Sequence, residues 1–590
     1  MLNCFKSTAI TNDCLQPNSF LSVQGSRVFP AKGFFLLLIV LASYTSLKAQ
    51  TNLNDLNFKA ESEFQPTIKD AVKFSYLPEI KDTVKHINNI QYGINSTPIF
   101  PKYQITPINP AKMQNEPLTK LYHALIKAGY GPIYGMPYAE VWYNSTRSRE
   151  IAYGGHYKHF SSNTHLENYG YGGFNDNEAE IFAKKFYKKH TLSGEFNYKR
   201  NVVHFYGFDT IINKITDKNF TKQCFQLFEP KLQLQSHYTD SSKINHHIQL
   251  SYYNFTDLYN LTDTYYAAEN NVKLNTQLNT FIKKENLHVN ILGDYYSHNR
   301  PKDTINDFIL TLNPYFEANG KKWHADIGLG AFMDIFGKST KFYFYPQLNI
   351  HYNVYENMII PYAGISGGLT KNSSRSLTNE NPFIDPQVNY ANTDNKYKVF
   401  GGLRGNLSSN TSYDANVSYG QYDSLHYFVI DYSDAAQLYN KFKVIYDNTT
   451  LLKVSGQVKY QYKEKIHFIA KGNYYLYTPK NLTQAYHKPN FDLTFSAIYN
   501  LRSKIIIRGD VFVIGDQWAL TQVKDNNTYV LQPKLLNSMV DVNLGIEYRY
   551  SKMLSLFVNC NNIANLRYYR WERYPTQRFN IMFGVTFVPF

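Results

Sequence analysis

Between residues 452 and 462 apolar and polar side chains alternate. Leu452, Val454, Val458, Tyr460 and Tyr462 take the even positions, and Lys453, Ser455, Gln457, Lys459 and Gln461 the odd ones. Residues 540–550 repeat the pattern, with Val540, Val542, Leu544, Ile546, Tyr548 and Tyr550 set against Asp541, Asn543, Gly545, Glu547 and Arg549. In "FDLTFSAIY", Asp492, Thr494 and Ser496 oppose Phe491, Leu493 and Phe495. A period of two places each kind of residue on its own face of a strand. The final stretch, "RFNIMFGVTFVPF", puts Ile581, Phe583, Val585 and Phe587 on one face and Asn580, Met582, Gly584 and Thr586 on the other. Val588 and Phe590 change parity and Pro589 cannot donate to a ladder, which predicts a bulge or an unpaired end. From about residue 121 onward no helical period competes.

The connections between these strands alternate in length. Short turns such as "KKHT", "TDSS", "ANGKK", "VYEN", "YKEK", "NLRSK" and "RYSKM" separate long stretches such as "SRSLTNENPFIDPQVNYANTDN" and "DSLHYFVIDYSDAAQLYN". Short turns at one end and long loops at the other are the pattern of an outer-membrane barrel. The expected fold is all-β: a transmembrane antiparallel β-barrel of about 22 strands, opening near Tyr122 and closing at Phe590. Closure on the first strand gives the last one a neighbour without leaving an edge. Residues Val454, Val458, Leu544, Ile546 and Phe583 are expected to face lipid.

Composition agrees. The chain has 52 Tyr and 40 Phe, yet its mean hydropathy is −0.43, so aromatic and polar residues must interleave. The apolar run Phe34–Ser46, with Lys32 before it and Ala49 after it, reads as a cleaved signal peptide within 1–49, with a start codon placed too early. Residues 50–120 carry Pro66, Pro78, Pro98, Pro101, Pro107, Pro110 and Pro117 and read as a short extended periplasmic arm before a barrel over 121–590. Cys224 and Cys560, the cysteines beyond the signal region, support neither a disulfide framework nor a metal site. The net charge of +15, following a signal peptide, points to anionic lipid headgroups or a basic lumen, not to nucleic acid.

The stretch "LFVNCNNIANLRYYRWERYPTQRFNIMFGVTF" resembles the C-terminal end of TonB-dependent receptors. The matching residues are Asn561, Asn562, Asn565, Tyr568, Tyr569, Trp571, Tyr574, Pro575, Gly584 and Phe590, and the resemblance implies that they mark barrel closure. With the "LKAQ" signal end and the Tyr/Asn richness, the chain looks like a Bacteroidota member. The resemblance implies an outer-membrane transport barrel. It also implies a plug of well over a hundred residues and a TonB box. Residues 50–120 lack the plug's signatures, and only Lys81–His86 echoes the box.

Catalytic signatures are weak. "GISGG" (Gly364–Gly368) matches a nucleophile elbow but sits inside an alternating strand. His156 and His159, three apart on a strand, face opposite ways. The expectation is a non-enzyme without cofactor or metal. His487, Lys488 and Asn490, where a long loop re-enters the barrel, form a candidate loop-rim binding site. Solute transport across the outer membrane is the leading expectation. The alternative is a membrane platform in an assembly or secretion complex that recruits a periplasmic partner through the arm. Expected partners are outer-membrane lipid, lipopolysaccharide and a periplasmic or plug-like protein. A barrel this wide needs an obstruction, expected from inward-folded long loops helped by the arm.

Overall fold

The computed structural model describes residues 121–590, apart from 146–147, 216, 260–265, 284, 301–302, 434–437, 526–527 and 590. The signal, the arm, the Lys81–His86 echo and Phe590 therefore lie outside the described residues. The alternating segments pair into one sheet of 22 strands, every neighbour antiparallel. The sheet closes on itself: Ala124–Gly131 pairs with Met136–Asn144 on one side and with Asn580–Phe587 on the other, in register from Ile126↔Phe587 to Tyr130↔Phe583. Closure leaves no edge for hydrocarbon to strip of hydrogen bonds. The final strand ends at Phe587, and the Val588 amide still donates to the Met553 carbonyl at 2.8 Å.

At the seam Gly129 and Gly584 stand directly opposite. A Cβ on Gly584 would meet Phe557 Cζ at 2.1 Å and the Ala128 carbonyl oxygen at 2.5 Å. The Phe557 ring lies against both glycines, so the glycines supply space and the ring fills it.

The faces follow the pattern of the sequence. Val454, Val458, Ile546 and Phe583 are exposed on the outer wall, and Leu544 is half-buried there. Inward positions are polar and bonded to each other across strands: Asn473 and Tyr475 donate to Asp492 (2.8 and 2.6 Å), and Ser496 donates to Asp510 (2.6 Å). The short turns use left-handed residues, as at Arg502 and Ser503 (φ 51° and 55°), which matches the strand twist. Wall height is uneven. Strands Thr411–Ile430 and Phe442–Tyr462 run 20 and 21 residues, against 8 in the first and last strands. "GISGG" lies within the strand Ile360–Thr370, where a register shift falls between Ser366 and Gly368. Cys224 and Cys560 are free thiols.

Candidate functional site

The long loops turn inward over the barrel mouth and pack on one another. Leu166, Phe205, Tyr206, Leu377, Phe383 and Ile384, from three loops, join Phe428 and Phe442 on the tall strands and Trp571 and Tyr574 near the C-terminus in one buried apolar cluster. Burial of this kind is what holds a domain core together. Its cross-links span the mouth. The Asn440 amide donates to the Phe205 carbonyl at 2.7 Å, joining the loop 431–441 to the loop 205–221, ten strands away around a ring of 22. The expectation of inward-folded loops is thus met at the long-loop end.

The loop 371–392 crosses to the strands Lys222–Ser236 and Tyr266–Ile282. Its helix, Ser374–Glu380, is only seven residues long and starts from a capping box in which Ser373 and Ser376 bond each other's backbone. Leu377 anchors it in the cluster at 1 % exposure. Two carboxylates of the far wall receive its first turn. The Ser374 amide donates to Glu269 at 2.5 Å, and the Arg375 guanidinium donates two bonds to Glu229, at 2.9 and 3.2 Å. A bidentate pair of this type fixes orientation as well as distance. Glu229 lies midway along the strand Lys222–Ser236, so the helix is drawn down into the lumen. At the base of the loop Lys371 pairs with Asp307, and Asn372 donates to the Ala391 carbonyl and Thr393 hydroxyl at 2.7 and 2.8 Å.

The other end of the helix is held by charge. Lys488 donates to one Glu380 oxygen at 2.7 Å and His426 to the other at 2.7 Å. Burial acts to raise the Glu380 carboxyl pKa. The Lys488 charge and the His426 contact outweigh it and hold the group well below the usual carboxylate range. Three chain segments therefore meet at one carboxylate. Beside it, His487 is enclosed by the rings of Trp571 and Phe442 (centroids at 5.1 and 5.3 Å), and burial lowers its imidazole pKa to about 3.

This placement corrects one reading of the sequence. His487 and Lys488 are 4 % and 5 % exposed, inside the loop assembly and not on an open rim. The Asn490 main chain is bonded on both sides, its N–H donating to the Asp516 carbonyl and its carbonyl accepting from the Tyr475 N–H, and its side-chain Oδ1 is buried. The physical reason is that the apolar cluster draws the loop 480–490 inward, so its polar residues become fasteners.

The C-terminal motif residues divide between the seam and the packed loops. Gly584 sits at the seam, and Asn561 donates to the Asn580 side chain at 2.9 Å at the seam's upper end. Asn562, left-handed at φ 49°, donates to the Leu566 and Gln577 carbonyls (2.7 and 3.0 Å) and accepts from the Leu566 amide (3.1 Å). Asn565, at φ 54°, accepts from the Phe579 amide at 3.2 Å. These two asparagines shape the loop 562–579, which presents the rest. Tyr568 donates to Asp541 at 2.9 Å, Tyr569 shares a hydroxyl bond with Tyr169 at 3.0 Å, and the Pro575 carbonyl accepts from Tyr206 at 2.9 Å. Trp571 stands edge-on to Phe428 at 5.3 Å. Tyr574 stacks on Phe383 at 3.8 Å and donates to the Asn440 carbonyl. Sequence reasoning missed Glu229, Glu269, Arg375 and Glu380. The strands that carry Glu229 and Glu269 gave no signal that set these carboxylates apart from other polar wall positions, and seven helical residues are too few to show a period.

No known protein family matches the chain by sequence, and no curated protein matches it. Solved structures do resemble it. The ferripyoverdine receptor of the outer membrane of Pseudomonas aeruginosa, bound to ferripyoverdine, superposes with a TM-score of 0.60 at 12% identity, covering 80% of this chain and 72% of that one. The FrpB iron transporter from Neisseria meningitidis (F5-1 variant) gives 0.61 at 8% identity, covering 80% and 82%. The siderophore receptor PirA from Acinetobacter baumannii gives 0.59 at 9% identity, covering 80% and 81%. At these identities the likeness is one of fold.

Proposed function

We propose that the chain is an outer-membrane transport barrel of receptor type, whose loop assembly is a lid that yields to a solute arriving from outside. The observation that carries this reading is the helix Ser374–Glu380, suspended across a polar lumen and fastened at both ends by exchangeable charge contacts to Glu229, Glu269, Lys488 and His426. Such contacts are each of a size that a bound ligand can replace, whereas strand pairing would lock the mouth permanently. The fold shared with ferripyoverdine and iron-transport barrels supports uptake, as does the resemblance of the C-terminal motif to TonB-dependent receptors. We assign the signal peptide to 1–49, the periplasmic arm to 50–120 and a Bacteroidota-type origin on the sequence features given above.

The test is outer-membrane permeability in cells. Cells expressing the intact protein should stay resistant to a large antibiotic that the outer membrane excludes. Cells expressing a variant with 374–390 replaced by a short Gly/Ser linker should become sensitive. Equal resistance with equal surface expression would contradict a lidded pore and favour the membrane-platform reading.

A further inference from the structure

The short-turn end of the barrel carries two features that belong together. Just above the turns, outward-pointing rings form a girdle: Tyr153, Tyr187, Trp323, Tyr352, Tyr462 and Tyr550 are all exposed. Above them the outer wall is aliphatic, with Leu232, Leu250, Leu274, Leu312, Val399 and Val417 exposed. Amphipathic rings at the end of an apolar belt mark the level of lipid headgroups. The start of the first strand and the end of the last lie at this same end, as the pairing Ile126↔Phe587 places them.

Cations sit at this level and immediately beyond it. Exposed pairs occupy successive parts of the circumference: Lys188 with Lys189 between the fourth and fifth strands, Lys321 with Lys322 between the tenth and eleventh, and Lys463 with Lys465 between the sixteenth and seventeenth. The turn 502–504 adds Arg502 and Lys504. Acidic residues at this end are fewer and scattered: Glu150, Asp240, Glu285, Glu356 and Glu464. Lys463 lies over the Tyr462 ring at 5.7 Å, which ties a cation directly to the girdle. At the long-loop end Lys488, Arg375 and Lys534 are paired with Glu380, Glu229 and Glu572 inside the loop assembly.

We infer that this basic rim is a binding surface for anionic phospholipid headgroups of the leaflet at the short-turn end. The turns that carry these cations, 187–189, 320–322, 463–465 and 502–504, are each three residues long, so their cations cannot leave the headgroup plane that the girdle fixes. Lysine at this level places its stem along the apolar boundary and its ammonium among phosphates. The surface is distributed around the ring, so it recruits a shell of anionic lipid and not one bound molecule. It stands independently of what the lumen carries.

Trp323, next to Lys321 and Lys322, is a built-in reporter. The experiment uses the full protein in vesicles of equimolar phosphatidylethanolamine and phosphatidylglycerol, with one lipid at a time carrying brominated chains. The Trp323 signal is taken as the difference from Trp323→Phe. Quenching should be stronger with brominated phosphatidylglycerol, and added salt should erode that preference. The variant Lys188→Gln/Lys189→Gln/Lys321→Gln/Lys322→Gln should weaken the preference by at least about fivefold, since one near-surface cation alone supplies that factor. Lys338→Gln, in the tight hairpin at the opposite end, should leave it unchanged, and heat-modifiable migration verifies that each variant is folded. Equal quenching by the two lipids in the intact protein would overturn the inference and leave the rim as a surface for an acidic periplasmic protein. An unchanged preference in the folded quadruple variant would overturn it as well.

Discussion

Tyr574→Ala should open the lid while leaving the barrel intact. The ring is fully buried, stacked on Phe383 at 3.8 Å and edge-on to Tyr206 at 4.9 Å, and its hydroxyl donates to the Asn440 carbonyl. Truncating a buried aromatic side chain costs about 3–5 kcal/mol, and the unmade bond to a buried carbonyl belongs to that loss. The site has little freedom to collapse. A Cβ on Gly207 would already meet the Tyr574 ring at 2.7 Å, so backbone lies against one side of the ring and the rings of Phe383 and Phe442 occupy others. The cost should therefore fall in the middle of the range or above, which corresponds to about a thousandfold shift in lid opening. Hydrogen exchange measured in detergent or nanodiscs reads this directly. Amides of 371–392 and 431–441 should lose about three orders of magnitude of protection, while those of the central strands keep theirs. Tyr574→Phe retains the packing and should cost only about 1 kcal/mol, a roughly fivefold loss. Unchanged loop protection in Tyr574→Ala would refute the view that the buried cluster holds the lid.

The lid should also loosen in acid. The closed lid keeps His487 neutral with a pKa of about 3, so the open lid binds a proton that the closed one excludes, and closure weakens as pH falls from about 6.5 toward 3. At pH 5.5 the loss is about 1.4 kcal/mol, and His487→Phe should flatten the profile in loop hydrogen exchange. Glu380 acts in the same direction lower down: its depressed carboxyl stabilises the lid above the usual carboxylate value and that contribution fades as pH falls below it, so Glu380→Gln should remove the acid limb. Val454→Arg on the outer wall should cost about 2–4 kcal/mol in refolding into lipid, while Ser455→Arg, on the lumen face, should be tolerated; equal costs would reverse the assigned faces. Gly584→Val should drive a side chain into the Ala128 carbonyl and the Phe557 ring and lower the yield of heat-modifiable barrel; an undiminished yield would refute the tight seam.

The barrel was legible because strand alternation is local. The run from Leu452 to Tyr462 states its own facing, and turns as short as 502–504 leave no choice of neighbour. The strand count followed from pairing each short turn with a long loop. The lid was legible only as an expectation that long loops fold inward. Its helix begins from a serine capping box and ends within seven residues, so neither charge nor period announces it. Its fasteners join Arg375 to Glu229 and Glu380 to Lys488, residues more than a hundred positions apart. Lys488 and His487 looked like rim residues because a sequence shows where a loop begins and not whether it stays outside. The C-terminal motif was recognised as a unit. Gly584 sits at the seam, whereas Trp571 and Tyr574 pack in the buried cluster of the loops.

The central claim, a transport lumen closed by its own loops, is tested most directly by single-channel conductance in planar bilayers. The intact protein is compared with the variant in which a short linker replaces 374–390. The account predicts that the intact barrel stays closed apart from brief openings, and that the variant opens in large stable steps. Stable open steps of equal size in both proteins would contradict it.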